Sequence, residues 1–522
     1  MQTMSKLSES FTSALRSLLL SVLVIALAVT MSAIPSSESG RIHRADLFGI
    51  YTEGEAAPSA GFKADLKALD KEIEKFEQLK ASVPDSTAGK VAVTHEWVIR
   101  EASGRLSRKV KVDVDRAGQP GFVPIEDFDT ASVTCLGRFG RKLRKGEPVR
   151  IAFLGDSFIE GDILTSDLRK RLQDDAGGAG IGFIPCDIPF AIYNRSVFRK
   201  SFGWTTYSIM KCGSVPEKWK SSFLVSGYSA VGGPGARTVW EDKTGRPSQE
   251  ACIYLKPVLE STVEISVNDS LLKTFTLPAD GLMHEIKVRA EIGRLGLSVK
   301  SGQVVGYGVR MVDDSGSCVD NFSVRSNNGH AIFATDPLLN RQFDDLVGYD
   351  MVVLQYGLNI LNDGQQSYQK YGQQLRDMIV YVKRCFPDAA IVVLGVSDRW
   401  IKDAETGSFR PINSPDILNL WQKRSAEGCG VCYWNTLAAM RSLGGMEAFS
   451  ASGYVSDDRT HINYKGGKAF AGKFYEALLQ CVYDADAAMR AEELARVESV
   501  ALDSLMKEAA VLEAAPATLK MK

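Results

Sequence analysis

Residues 149–162 read VRIAFLGDSFIEGD, and this stretch decides the fold of the chain. The apolar run from Val149 to Leu154 predicts a buried strand. Gly155 and Asp156 follow it and predict a tight turn at its end. A helix is predicted to begin at Thr165. Ser157 is therefore expected on a turn between the end of a buried strand and a helix.

Further short apolar runs alternate with helical patterns along the chain. Strands are predicted at Met351–Gln355, Ala390–Leu394 and Gly430–Trp434, and an amphipathic helix is predicted between Tyr368 and Val382. Apolar strands separated by helices are typical of a parallel sheet that is covered on both faces. The predicted fold class is therefore α/β, with a parallel sheet between two layers of helices.

This alternation is interrupted between about residues 200 and 335. Residues 262–277, TVEISVNDSLLKTFTL, predict a hairpin with its bend at Asn268 and Asp269. The segments HEIKVRAE, GLSVKS and VVGYGVRMV follow as strand candidates. This pattern predicts a small β-sandwich inserted at a surface loop of the α/β unit.

Composition excludes several classes of function. The formal net charge is −1, from 62 basic and 63 acidic residues, so the bulk charge does not favour a nucleic-acid partner. No phosphate loop, zinc-type cysteine pattern or dinucleotide fingerprint is found, and we predict no cofactor and no metal. Cys429 and Cys432 form a CxxC pair, but the apolar surroundings favour two core residues.

A carboxylate and an imidazole lie three residues apart in Asp458-Arg459-Thr460-His461. Ligands bind beyond the carboxyl ends of parallel strands, which is where Ser157 is predicted. A neutral serine is a weak nucleophile and needs a base to take its proton. His461 is one of only five histidines, and we predict that it is this base and that Asp458 orients it.

Donors for a developing oxyanion are predicted at the same edge of the sheet. Asn359 follows the strand at Met351–Gln355, and its amide is a candidate together with the backbone N–H of Ser157. Gly329, in a turn after the last strand candidate of the β insertion, is a third candidate. Each motif alone is also typical of an ordinary turn, a helix cap or a surface ion pair. Their order and strand context together predict an active site.

These motifs resemble the SGNH (GDSL) hydrolase superfamily. Its four sequence blocks correspond here to Ser157, to Gly329, to Asn359, and to Asp458 with His461.

The segments GDSFIEGDILTSDLRKRLQDDAGGAGIGFIP, AMRSLGGMEAF and DDRTHINYKGG are more narrowly similar to periplasmic peptidoglycan O-acetylesterase-like proteins. That group carries an inserted β domain similar to a carbohydrate-binding module. The resemblance covers about residues 135–480. The chain departs from it at Phe158, where relatives often have His, and at Ile360, where an acidic residue is usual.

The resemblance implies a serine esterase that removes O-acetyl groups from a cell-envelope glycan such as peptidoglycan, through an acyl-serine intermediate. Two alternatives stay open, an O-acetyltransferase of an envelope polysaccharide and a membrane-tethered glycan-binding protein with an inactive site. The expected partners are an acetylated polysaccharide and the membrane, with no nucleic acid. The oligomeric state is open.

The N-terminus predicts a targeting segment. An apolar run that starts at Leu18, LLLSVLVIALAVTMSA, follows Lys6 and Arg16, which is typical of a secretory signal or a short membrane anchor. Residues 31–33 match a cleavage site only in part, so an uncleaved anchor is favoured. We therefore expect the protein in the periplasm or cell envelope, anchored in the inner membrane.

The predicted organisation has five parts. They are a signal anchor or signal peptide (1–35), a tether with a helical and mixed segment (36–134), a discontinuous SGNH hydrolase domain (135–200 and 335–482), the inserted carbohydrate-binding-like β-sandwich (201–334) and a C-terminal helical tail (483–522).

Overall fold

The computed structural model describes residues 92–100, 107–190, 193–313 and 315–514, together with six helical positions between Lys67 and Gln78. The predicted signal anchor lies outside the described residues, and so do the apolar positions between Phe62 and Leu79, whose spacing predicts an amphipathic helix. In the part of the chain that is described, no helix combines the length and the apolar character needed to cross a membrane.

One sheet is mainly parallel, as predicted. Only its last edge strand runs antiparallel to its neighbour. Numbered in chain order, its strands lie in the spatial order β13 (Cys318–Ser323), β3 (Arg150–Gly155), β14 (Met351–Gln355), β15 (Ala390–Leu394), β18 (Cys432–Trp434) and β2 (Ile125–Glu126).

The central strands of this sheet explain why the sequence pattern was clear. Every residue of β14 and β15 is buried, so both faces of the sheet are covered and both favour apolar side chains. The strand predicted at Gly430–Trp434 is shorter at its start. Gly430 adopts a left-handed conformation with φ of 58°, and the extended segment begins only at Cys432.

Helices pack against this sheet in two groups. In chain order the helices are α1 (Cys135–Lys145), α2 (Thr165–Ala176), α3 (Pro337–Val347), α4 (Gln369–Cys385), α5 (Ser414–Gly428), α6 (Thr436–Ser442), α7 (Gly445–Ala451) and α8 (Tyr464–Ala514). The last helix, α8, packs on α1 and α2, whereas α4 packs on α3 and α5.

The predicted C-terminal tail is continuous with the body. Helix α8 runs unbroken from Tyr464 to Ala514, so the predicted boundary after residue 482 falls within one helix. The first part of the helix is anchored by buried residues such as Phe470 and Phe474. Beyond these, Leu494 and Leu505 are exposed.

A second sheet of ten described strands curls over on itself. Most of its strands come from the predicted insertion, and neighbouring strands in it are mainly antiparallel. They are β1 (Val93–Val98), β4 (Gly180–Pro185), β5 (Val197–Ser208), β6 (Tyr228–Asp242), β7 (Ser248–Pro257), β8 (Ser261–Val267), β9 (Leu271–Leu277), β10 (His284–Ile292), β11 (Arg294–Ser301) and β12 (Val304–Val312).

The long strand β6 changes its pairing partner along its length within the curled sheet. Its first part pairs with β12 at Ala230–Gly232, and its last part pairs with β11 at Arg237–Glu241. Between them lies Gly-Gly-Pro-Gly, where Gly235 has φ of 91°. Glycine adopts this conformation without steric cost, and residues from both parts of β6, such as Ala230 and Trp240, belong to one apolar core.

The predicted hairpin is confirmed. Strands β8 and β9 pair along their whole length, and Asn268 and Asp269 form the bend with φ of 48° and 58°. Two consecutive residues with positive φ are typical of the turns that match the twist of a hairpin.

Strand pairing crosses the predicted boundaries. Strand β13 lies within the predicted insertion (201–334) but pairs with β3 of the parallel sheet. Conversely, β4 lies within the predicted hydrolase segment (135–200) but pairs with β12 of the curled sheet. Strand β1, from the N-terminal segment, pairs with β10. The predicted parts therefore do not coincide with the two sheets.

A buried ion pair joins the two sheets. Asp320 on β13 accepts a hydrogen bond from Arg310 Nε on β12 at 2.7 Å, and further bonds from the hydroxyl of Tyr349 at 2.7 Å and the N–H of Phe183 at 2.9 Å. Both charged side chains are at most 5% exposed. Removing one partner of such a pair typically costs about 3–5 kcal/mol, because the other charge stays buried. This pair therefore links β12 of the curled sheet to β13 of the parallel sheet.

Candidate active site

The register of the parallel sheet aligns the carboxyl ends of three strands. Gly155 at the end of β3 pairs with Ser323 at the end of β13 and with Gln355 at the end of β14. Ser157 follows two residues after Gly155, and Asn359 four residues after Gln355. The loops that carry them therefore leave the sheet at the same edge, where ligands bind in folds of this kind.

Ser157, His461 and Asp458 form a chain of hydrogen bonds. The Oγ of Ser157 lies 2.9 Å from Nε2 of His461, and Nδ1 of His461 lies 2.6 Å from Oδ2 of Asp458. The carboxylate can only accept, so it fixes the proton on Nδ1 and leaves the lone pair of Nε2 toward the hydroxyl. The imidazole is thus placed to take a proton from the serine.

The loop that carries the acid and the base is held by its own backbone. Oδ1 of Asp458 accepts hydrogen bonds from the N–H groups of Thr460 and His461, both at 3.0 Å. Burial alone would raise the pKa of Asp458, but the hydrogen bonds from the His461 ring and from these N–H groups outweigh it and lower the pKa. The carboxylate therefore stays charged beside the imidazole.

The site is open to solvent on the side of the acid and base. The side chain of His461 is 40% exposed and that of Asp458 is 50% exposed. Phe158, in contrast, is buried and meets Phe470 of α8 edge to face at 5.6 Å. Phe158 therefore belongs to the core.

The candidate oxyanion donors are engaged with neighbouring residues. The Nδ2 group of Asn359 donates to Oδ2 of Asp156 at 3.1 Å and to the carbonyl of Asn327 at 3.0 Å. The N–H of Gly329 donates to Oδ1 of Asn327 at 2.9 Å. Either donor would exchange or share one of these bonds to reach an oxyanion, so the roles of Asn359, Gly329 and the Ser157 N–H stay predictions.

Asn327 is a residue that sequence reasoning missed. Its carbonyl holds Asn359 and its side chain holds Gly329, so it links both candidate donors. It precedes a glycine by two residues, which is the spacing of an Asx turn, and this was the only signal that the sequence offered.

Asp156 is the buried acid of the site. Burial raises its pKa to about 7, against the opposing effects of the Phe158 N–H, the nearby His461 and the amides of Gln355 and Asn359. The carboxyl group therefore changes its charge within the physiological range while bonded to Asn359.

We expect the unfolding free energy of the wild-type protein to fall relative to that of Asp156→Asn as the pH rises from about 4 to about 7. The folded state holds a proton on Asp156 over this range, whereas the unfolded chain has released it above its ordinary pKa of 3.8. The stability that this proton contributes is present below pH 3.8 and is lost as the pH rises through about 7. Denaturant unfolding at several pH values measures the slope, and equal slopes in both proteins would contradict the assignment.

A small hairpin braces the loops on both sides of the site. Its strands are β16 (Trp400–Lys402) and β17 (Phe409–Pro411). The N–H of Trp400 donates to the carbonyl of Arg459 at 3.2 Å, and the guanidinium of Arg459 lies 4.5 Å from the centroid of the Phe409 ring. The hairpin thus contacts the loop between Asp458 and His461.

The residue before this hairpin reaches the opposite loop. Nη1 of Arg399 donates to the carbonyls of Leu361 at 2.9 Å and Leu358 at 3.4 Å, which flank Asn359. Arg399 therefore connects the Asn359 loop to the segment that supports the acid and base.

We expect Arg399→Ala to lower kcat by about 10- to 100-fold, because small displacements of positioned groups have effects of this size. Arg399→Lys should recover part of the loss, and Lys402→Ala, at an exposed position of the same hairpin, serves as the matched control. Steady-state kinetics separate kcat from KM. A change confined to KM would show that Arg399 does not position the reacting groups.

Comparisons with known proteins give a likeness in structure. No protein-family model matches the chain, and no curated protein matches it. A solved structure described as "Peptidoglycan O-acetylesterase in action, 5 min" superposes with a TM-score of 0.57 at 21% identity. The match covers 69% of this chain and 99% of that one.

Two further solved structures match with lower scores. A family two carbohydrate esterase from Cellvibrio japonicus has a TM-score of 0.24 at 10% identity, covering 58% of this chain and 98% of that one. A salicylyl-acyltransferase from a tetracycline biosynthetic pathway has a TM-score of 0.26 at 13% identity, and the match covers 58% of this chain and 96% of that one. TM-scores this low do not establish a shared fold. The first match, with a TM-score of 0.57, does establish a shared fold, and the chain therefore has the fold of a solved peptidoglycan O-acetylesterase.

Proposed function

We propose that this protein is an SGNH-type serine esterase that removes O-acetyl groups from a cell-envelope glycan such as peptidoglycan. The observation that carries the proposal is the chain of hydrogen bonds from Ser157 through His461 to Asp458 at the carboxyl edge of the parallel sheet. The fold shared with a peptidoglycan O-acetylesterase supports an acetylated glycan as the substrate.

The reaction begins when Oγ of Ser157 attacks the carbonyl carbon of the acetyl ester while Nε2 of His461 takes the hydroxyl proton. The tetrahedral anion collapses, and the protonated His461 returns the proton to the departing sugar oxygen. A water molecule then attacks the acetyl-serine while His461 takes its proton. As the second tetrahedral anion collapses, His461 returns this proton to Oγ of Ser157, and acetate leaves. Asp458 stays ionised throughout and stabilises the imidazolium.

The tetrahedral anion needs donors, and we assign them to the Ser157 N–H, the Gly329 N–H and the Asn359 amide. Asn359 would turn one of its two N–H bonds from Asp156 or from the Asn327 carbonyl toward the anion. A donor that strengthens its bond only when charge develops contributes to the rate and little to substrate binding.

The regions outside the parallel sheet have proposed roles as well. We propose that the curled sheet is the counterpart of the inserted β-sandwich of related esterases and that it contacts the polysaccharide. The N-terminal apolar segment is proposed to hold the enzyme at the inner membrane, facing the periplasm.

The experiment that tests this function is acetate release from a panel of O-acetylated glycans, including peptidoglycan, with Ser157→Ala as the control. We expect the wild-type protein to release acetate from at least one glycan and the variant to release none above background. Equal release by the two proteins would overturn the proposal.

A further inference from the structure

Tyr464 is close in sequence to His461 and is hydrogen-bonded to the loop that carries Ser157. Tyr464 is the first residue of α8 and follows His461 by three positions. Its hydroxyl donates to the carbonyl of Gly161 at 2.7 Å, and Gly161 follows Ser157 by four positions. The ring of Tyr464 therefore lies beside the loops that carry the serine and the histidine.

A second aromatic ring, that of Tyr193, contacts the ring of Tyr464. Tyr193 contacts Tyr464 in a T-shaped arrangement with ring centroids 6.1 Å apart, and Nζ of Lys243 lies 5.3 Å from the centroid of the Tyr193 ring. Nevertheless, Tyr193 is 70% exposed. The ring thus contacts two neighbouring side chains while most of its surface stays open to solvent.

Two residues that follow Tyr193, Arg195 and Ser196, form hydrogen bonds with neighbouring elements. Nη2 of Arg195 donates to Oγ of Ser166 at 2.6 Å, and its guanidinium lies 4.6 Å from the centroid of the Tyr464 ring. Next to it, Oγ of Ser196 donates to the buried carboxylate of Asp162 at 2.8 Å. These bonds connect Arg195 and Ser196, two and three positions after Tyr193, to α2 and to the turn before it.

We propose that Tyr193 is a stacking platform for a sugar ring of the glycan, adjacent to the sugar whose acetyl group enters the site. A pyranose ring has an apolar C–H face and a polar rim, and an exposed tyrosine beside donors recognises both features. The ammonium of Lys243 supplies donors to hydroxyl or carboxylate groups at that rim. The proposal rests on the proposed function, because the triad defines where the acetylated sugar lies.

The binding test uses Ser157→Ala protein, which separates affinity from turnover. The probe is solubilised O-acetylated peptidoglycan fragments, titrated by calorimetry. Adding Tyr193→Ala should weaken binding by about fivefold or more, whereas Tyr193→Phe, which keeps the ring, should stay within about twofold of Ser157→Ala alone. The matched control is Leu494→Ala on α8, outside the curled sheet, at a residue that is 60% exposed, and it should bind like Ser157→Ala alone.

A kinetic test uses otherwise wild-type protein. The ratio of kcat/KM for the glycan to kcat/KM for a small acetyl ester should fall about fivefold in Tyr193→Ala, because only the glycan reaches the platform. This ratio does not change if the variant merely lowers the amount of folded enzyme.

The outcomes separate the two proposals. Equal affinities of Ser157→Ala with and without Tyr193→Ala, or no binding of the fragments by either, would overturn the platform. Tyr193-dependent binding without acetate release from any glycan would support the platform and overturn the esterase.

Discussion

Ser157→Ala is expected to lower kcat for acetyl-ester cleavage by at least about 10³-fold, because the acyl-serine intermediate can no longer form. Oγ of Ser157 bonds to the side chain of His461, which is 40% exposed, so its removal leaves no buried group without a partner. The unfolding free energy should therefore change by less than about 1 kcal/mol. Acetate release and denaturant unfolding of the purified variant measure both quantities.

His461→Ala provides the companion measurement. Nucleophile and base act as a unit, so each single variant should lose about as much activity as the double variant Ser157→Ala/His461→Ala. Losses that multiply in the double variant would show that the two residues act independently and would contradict the hydrogen-bonded pair as the catalytic unit.

The second large effect is expected from Asp458→Asn, which should reduce kcat by about 10³- to 10⁴-fold. The carboxylate accepts from Nδ1 of His461 at 2.6 Å and so holds the tautomer in which Nε2 can take the serine proton. An amide NH₂ at this position would favour the other tautomer, in which Nε2 carries a proton and cannot act as the base. The loop should persist, because Oδ1 of the amide can still accept from the N–H groups of Thr460 and His461.

Asp457→Asn is the matched control for this variant. Asp457 is the exposed neighbour of Asp458 in the same loop, and its replacement removes the same charge from the chain. We expect the control to keep activity within about threefold of wild type, because an exposed charge is largely screened. Similar losses in both variants would assign the effect to net charge at the loop and not to orientation of His461.

The sequence predicted best those strands whose surroundings are uniform. Strands β14 and β15 were predicted with their observed bounds, because burial on both faces leaves an unbroken apolar run. Residues 318–323, which form β13, fell within the predicted insertion and were not predicted as a strand, and Asp320 and Asn321 interrupt their apolar pattern. The partner that makes Asp320 acceptable in the core is Arg310 on another sheet, and a pairing between sheets leaves no local pattern in the sequence.

The site was predictable to a similar degree. Ser157, Asp458 and His461 could be paired because a strand-end serine and a downstream Asp-x-x-His each have a recognisable spacing, and the structure brings the three together. The contacts of Asn327 and Arg399 were not predicted. The bonds from Asn359 to the Asn327 carbonyl and from Arg399 to the Leu361 carbonyl join distant loops. Any sequence can supply a backbone carbonyl, so no residue pattern identifies these two bonds.

The most direct measurement of the central claim is labelling with a serine-directed fluorophosphonate, followed by peptide mapping. A hydroxyl activated by His461 should become modified, so we predict the label on the peptide that contains Ser157, with labelling lost in His461→Ala. A label on any other residue, or labelling of Ser157 that persists unchanged in His461→Ala, would contradict the claim that these residues form a nucleophile and its base.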